Sequence, residues 1–113
     1  MNPDLKARWT TKLRSGEYLQ GKGALRQRAE ERDLFCCLGV LCEIAVDEGA
    51  VHRSEKPGAI GWHYSYDEEG GVLPIGLEEW SGISFDDRQD LMNMNDAHGK
   101  TFSEIADWVD ANL

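Results

Sequence analysis

One apolar run constrains the fold of this chain more than any other feature. It covers residues 34–46, contains all three cysteines, and is interrupted by a single charged residue. A segment this apolar must be buried, and its apolar residues recur at the spacing of one helical face. We therefore expect a strand that ends near Phe35 or Cys36, followed by a buried helix from about Leu38 to Asp47.

Helix signals occur towards both ends of the chain. Asn2 is a good N-cap, and Pro3 fits the first helical position of a helix that ends at Gly16. Thr101 and Glu104 have the spacing of a capping box and begin a last helix. These signals predict one helix near each end of the sequence.

Two further helices are predicted between the apolar run and the last helix. Leu73–Pro74 begins a short helix that runs through Trp80, and Ser84 caps the next one. Phe85, Leu91 and Met94 are expected to give this second helix its apolar contacts.

The strand signals are weaker than the helix signals. Residues 24–28 are predicted to pair with residues 34–36 as a hairpin whose polar tip is 29–33, and residues 60–66 are predicted to be extended. Residues 54–58 are interpreted as a turn. The sequence thus predicts an α+β protein, with four or five helices packed on a small antiparallel hairpin or three-stranded sheet. Residues 1–113 are expected to form a single domain.

Charge is distributed unevenly along the sequence. Residues 1–35 carry eight Lys and Arg against five Asp and Glu, whereas residues 36–113 carry four against sixteen. The net charge of −9 opposes general binding to a phosphate backbone, which Lys and Arg drive by displacing counterions. Solubility alone can explain the acid excess. Mimicry of a polyanion, or docking onto a basic partner, is the alternative.

Enzyme, metal and membrane signals are weak. The cysteines lack Cys-x-x-Cys spacing and a histidine within one turn, so we assign no metal ligand, cofactor or catalytic residue. A cysteine- or histidine-dependent enzyme is the last of the three functions considered. No apolar stretch reaches the ~18 residues needed to span a bilayer, and no secretory signal follows Met1. These features predict a non-membrane protein of the cytoplasm with free thiols.

One candidate site would bind an anion. Arg26 and Arg28 alternate along the predicted strand and therefore share a face. If that face is exposed, it could hold a phosphate together with Lys22, while Trp62 or Tyr64 stacks on a base. If the face is buried, the arginines pair with nearby acids.

A second candidate site would contact a protein. Trp62, Tyr64 and Tyr66 lie on one side of an extended segment, and Glu68 and Glu69 follow. Trp and Tyr are frequent at the centres of interfaces, so these five residues are predicted to form an acidic and aromatic contact surface. An exposed aromatic row is also consistent with a homodimer. The alternative is a strand that covers the core.

Several motifs together resemble a family of small uncharacterised proteins from tailed phages and prophages. The residues that carry the resemblance are Trp9, Leu13, Ser15, Gly16, Tyr18, Gln20 and Gly21, the run Cys36–Cys42, Leu73–Pro74, Met94, Asn95 and Asp96, and Phe102, Ile105 and Ala106. The resemblance implies a phage-encoded accessory protein in a bacterial cytoplasm, and it assigns no activity to any residue.

Two binding functions follow as hypotheses. The first is a non-enzymatic protein that binds and inhibits a host protein, such as a defence component, through its acidic and aromatic surface. The second is a protein that sequesters a small anionic nucleotide. Replacing Arg26 and Arg28 should matter under the second hypothesis and little under the first.

Overall fold

The computed structural model describes residues 1–58 and 61–113, without the side chains of residues 58–63. Within these ranges the chain forms five α-helices, one π-helix and five strands, which confirms the predicted α+β class. In chain order they are α1 (Pro3–Arg14), β1 (Leu19–Gln20), β2 (Arg26–Ala29), β3 (Arg32–Phe35), α2 (Cys37–Asp47), β4 (Arg53–Gly58), β5 (Gly61–Tyr66), α3 (Ile75–Ser81), α4 (Phe85–Met92), the π-helix (Asn93–Ala97) and α5 (Phe102–Asn112).

Helix α1 begins and ends where its local signals predict. The Asn2 side chain accepts hydrogen bonds from the backbone N–H groups of Asp4 at 2.8 Å and Leu5 at 3.3 Å. Gly16 follows the helix with a φ of +79°, a conformation that glycine adopts without strain. Local capping chemistry is therefore sufficient to set both ends of this helix.

The hairpin of β2 and β3 is longer than predicted. Its antiparallel register pairs Arg26 with Phe35 and Ala29 with Arg32, so only Glu30 and Glu31 remain in the turn. Both have positive φ, 50° and 69°, as a two-residue turn that matches the right-handed twist of the strands requires. The predicted tip, residues 29–33, was too wide because neither turn residue is the glycine or asparagine that usually marks such a turn.

The five strands have the order β1-β3-β2-β5-β4. The predicted sheet of the hairpin and residues 60–66 corresponds to β3, β2 and β5, and β5 joins β2 through the pair Gln27 with His63. Strand β1, which was not predicted, adds to β3 in parallel. Residues 54–58, predicted to be a turn, instead belong to β4. Pro57 is tolerated there because β4 is the edge strand and needs no donor on its free side.

Helix α2 is the centre of the core. Its N-terminal half is buried from Cys37 to Cys42, and the predicted start at Leu38 was one residue late. The Trp9 indole of α1 donates a 3.0 Å hydrogen bond to the Cys37 carbonyl. On the other side Gly39 lies so close to Leu25 that a side chain has no room there.

The C-terminal helices close the core. Capping boxes at Ser84 and Thr101 begin α4 and α5 as predicted. Helix α5 packs on α1, where the Arg14 guanidinium donates 2.8 Å hydrogen bonds to Asp107 and Asp110. No helix in the described part of the chain is long and apolar enough to cross a membrane.

Candidate functional site

The two arginines of the predicted anion site belong to an ionic cluster between the sheet and α2. Arg26 donates to Asp33 at 2.5 Å and to Glu43 at 3.0 Å, and Arg28 donates to Asp33 at 2.9 Å. Arg53 of β4 also donates to Glu43, at 2.7 Å. We call these five residues the charge cluster. The arginines therefore pair with nearby acids, the second of the two alternatives that the sequence left open.

Aromatic side chains enclose the charge cluster. The Arg26 guanidinium lies 4.2 Å from the ring centre of Tyr64 and 5.0 Å from that of Phe35. The Tyr66 hydroxyl donates to Glu43 at 2.5 Å, and that of Tyr64 contacts Asp33 at 3.3 Å. Both tyrosines are buried, with 3% and 0% of their surface exposed. The charge of Arg26 is thus neutralised by carboxylates and shielded by rings.

The charge cluster makes the free energy of unfolding depend on pH. Burial alone would raise the pKa of Asp33, but the hydrogen bonds from Arg28 and Arg26 outweigh it, so its pKa lies below the ordinary value. A carboxyl group whose pKa is lower in the folded than in the unfolded state stabilises the fold at pH values above the unfolded-state pKa of about 3.9. This contribution is lost as the pH falls through the folded-state pKa. We expect urea unfolding to show a loss of stability below about pH 4 that is smaller in Asp33→Asn. The exposed control Asp90→Asn should lose as much as the parent, and an equal acid response of all three proteins would contradict this assignment.

The predicted aromatic contact surface needs correction. Tyr64 and Tyr66 face the core because the alternation of β5 directs them towards α2, so neither can form part of an exposed row. The side chain of Trp62 lies outside the described residues, as does Ile60. Glu68 and Glu69 are exposed in the turn after β5. Of the predicted contact residues that the structure describes, only these two acids reach the surface.

The predicted phosphate ligand Lys22 lies in a separate loop. Its neighbours Gly21 and Gly23 are fixed by the π-helix, since Asn95 donates to the Gly21 carbonyl at 2.8 Å and Gly23 donates to Asp96 at 3.2 Å. Lys22 itself is exposed. Asn95 and Asp96 thus hold this loop in place.

The three cysteines are buried in their reduced form. Burial raises the pKa of Cys36 to about 11 and raises those of Cys37 and Cys42 as well. Thiolate is the nucleophilic form, so these groups are protonated and enclosed near neutral pH. In the described residues, no group of three or more His, Cys, Asp and Glu is placed to hold a metal ion.

An exposed surface that the sequence did not indicate lies on α3 and α4. Ile75 is 80% exposed and Phe85 is 57% exposed, although Phe85 was predicted to contact the core. The acids Glu79, Asp86 and Asp90 are exposed on the same two helices. We call these five residues the α3–α4 surface. The available signal was positional, because Ile75 and Phe85 are the first residues of their helices and lie off the buried stripe.

Arg88 holds the two helices of this surface together. Its guanidinium donates to the Leu73 carbonyl at 3.4 Å and lies 3.2 Å from the Glu78 carboxylate. It also lies 4.7 Å from the ring centre of Phe85. The exposed Phe85 ring therefore lies against the Arg88 guanidinium, which α3 holds in place. This contact limits the conformational entropy that the ring would lose on binding a partner.

A second surface feature is a groove of about 860 Å³ between β2 and the hairpin of β4 and β5. Its lining includes Gly70 and Gly71, which follow β5. The Gly70 carbonyl accepts a 2.8 Å hydrogen bond from the backbone N–H of Leu25, just before β2. Arg26 and Tyr64 of the predicted anion site also contribute to its lining.

Comparison with known proteins identifies a family without assigning a function. One family model, described as a domain of unknown function (DUF8296), matches residues 1–89. No curated protein and no solved structure matches the chain.

Proposed function

The chain belongs to the DUF8296 family, and we propose that it is a non-enzymatic binding protein that captures a basic partner protein through the α3–α4 surface. The observation that carries the proposal is the exposure of Ile75 and Phe85 on two helices whose acids Glu79, Asp86 and Asp90 are exposed and form no ion pair with another described residue. Large apolar side chains exposed at a polar surface occur at interaction sites.

The charge of this surface selects the partner. Residues 75–92 carry five Asp and Glu against one Arg, and that Arg is already engaged by Glu78. A partner with Lys or Arg around an apolar pocket would complement both the charge and the exposed side chains, and would be steered to the surface by long-range attraction. A second copy of the chain is disfavoured here, because a two-fold contact places the same acidic patch against itself.

The origin and consequence of binding belong to the same proposal. The resemblance to small phage and prophage proteins supports a bacterial host protein as partner, inhibition as the result, and the bacterial cytoplasm as the place of encounter. The contact residues proposed here lie on α3 and α4 and not in the segment of Trp62, Tyr64 and Tyr66, but the proposed function is still the binding and inhibition of a host protein.

Capture from a bacterial lysate tests the proposal. The immobilised protein should retain a basic protein in stoichiometric amount, and Ile75→Ser with Phe85→Ser should weaken retention by roughly two orders of magnitude, as the loss of two central contacts would. Retention should also fall as ionic strength rises, because exposed charges are screened. The measurement is the dissociation constant of the captured protein by biolayer interferometry.

The matched control is Leu19→Ser. Leu19 is also exposed, at 44%, but lies on β1 and not on α3 or α4. It should leave both binding and melting temperature unchanged. Equal retention by the double variant and this control, or no retained protein at all, would rule out the α3–α4 surface as the binding site.

A further inference from the structure

We propose that the groove between β2 and the β4–β5 hairpin is a binding site for a small phosphorylated sugar, a second site independent of the α3–α4 surface. Its volume of about 860 Å³ lies within the range of natural small-molecule sites. It is larger than a bare phosphate ion needs, so a ligand with a polar body is expected.

Four residues that line the groove have a hydrogen-bond donor without an acceptor among the described residues. The backbone N–H groups of Ala24, Gly70 and Gly71 form no hydrogen bond within the described part of the chain. The Nε atom of Arg26 is buried and has no partner there either. A buried donor without a partner, such as the Arg26 Nε, costs free energy, and backbone N–H groups in glycine-rich loops are typical of anion sites.

Lys56 supplies a cation at this site. It is exposed on β4, lines the groove and forms no ion pair with any described residue. A phosphate group accepts several hydrogen bonds at once and would satisfy both the ammonium and the backbone donors. This concentration of donors is notable on a protein whose net charge is −9.

The remaining polar groups suit the hydroxyls of a sugar. Ser54 and Ser65 are paired across β4 and β5, and Gln27 lies on the neighbouring strand. Glu68 is the carboxylate in the lining. It lies in the turn after β5, whereas Lys56 pairs with His63, three residues before the end of that strand. A carboxylate apart from the lysine can accept from sugar hydroxyls while the phosphate lies at the lysine.

Titration of the ¹⁵N-labelled protein with ribose 5-phosphate, AMP and inorganic phosphate at constant ionic strength tests the site. The amide signals of Ala24, Gly70 and Gly71 should shift saturably with both sugar phosphates. Equal affinity for the two would identify the sugar phosphate as the recognised part, and tighter binding of AMP would identify a nucleotide. If inorganic phosphate binds as tightly as the sugar phosphates, the proposal that the site recognises a sugar is wrong. If no probe gives saturable shifts, the proposal of a binding site in the groove is wrong.

Two variants and a control make the test specific. Lys56→Gln should weaken binding about tenfold, the effect of losing one charge-assisted hydrogen bond, while the exposed Lys100→Gln should not. Gly71→Leu should block the groove without unfolding the protein, since the nearest atom to its added Cβ is 3.9 Å away. Equal affinities of the Lys56 and Lys100 variants would overturn the assignment. The double variant of Ile75 and Phe85 should bind the probes normally, which separates this site from the proposed protein contact.

Discussion

Gly39→Ala is expected to destabilise the protein by about 3 kcal/mol or more. A Cβ atom at this position would lie 1.7 Å from the Leu25 carbonyl oxygen and 2.6 Å from its carbon. That carbonyl cannot move aside freely, because it accepts a 3.2 Å hydrogen bond from Cys36 and Leu25 is fully buried. Urea unfolding followed by far-UV circular dichroism measures the effect.

The same substitution at Gly76 is the matched control. Gly76 also lies within a helix, but no atom would meet its added Cβ within 4 Å. Alanine should stabilise α3 there by about 0.5–1 kcal/mol through its higher helix propensity. One substitution is thus expected to have opposite signs in α2 and α3. A Gly39→Ala protein as stable as the parent would refute the close approach of α2 to the strand.

Asn95→Ala is expected to cost about 3–5 kcal/mol, because it leaves several buried groups without partners. The side chain is fully buried. Its oxygen accepts from Cys37 at 3.2 Å and Gln20 at 2.9 Å, and its nitrogen donates to Gly21 and Asp96, both at 2.8 Å. It therefore joins the loop before β2, the start of α2 and the π-helix. Differential scanning calorimetry measures the loss as a lower melting temperature.

Asn93→Ala and Asn95→Asp complete this test. Asn93 is exposed at the start of the same π-helix, and its replacement should change stability by less than about 0.5 kcal/mol. Asn95→Asp keeps the size of the side chain but removes the donor to Gly21 and buries a charge, so it should also be strongly destabilised at neutral pH. If Asn95→Asp melts with the parent protein, the hydrogen-bond network does not stabilise the fold as the structure indicates.

Local chemistry predicted the helices well and the strands less well. The caps at Asn2, Ser84 and Thr101 act within four residues, so their signals are complete in the sequence. Strand β4 was missed because it contains Pro57, which is uncommon in strands. It is stabilised by pairing with β5, and this contact cannot be recognised from the sequence of β4 alone. The π-helix was not predicted, and the side chain of Asn95 within it bonds to residues that lie 58 to 75 positions away in the chain.

Burial of the candidate site residues could not be predicted from the sequence alone. Alternation correctly placed Arg26 and Arg28 on one face of their strand, but it does not say which face is buried. That choice depends on Glu43, which lies 17 residues from Arg26 and on a different element. Phe85 was misplaced for the opposite reason, since an apolar residue in the first turn of a helix was assumed to face the core. Burial is decided by tertiary contacts in all these cases.

The packing of the first helix on the last has a consequence for synthesis on the ribosome. Arg14 and its partner Asp107 are separated by 93 residues. At about 5–20 residues per second, α1 waits roughly 5–20 seconds before α5 can be translated. During that interval the apolar side of α1 that α5 covers has no permanent partner. The docking of α5 on α1 is therefore a late event in synthesis, because it can occur only after α5 has been translated.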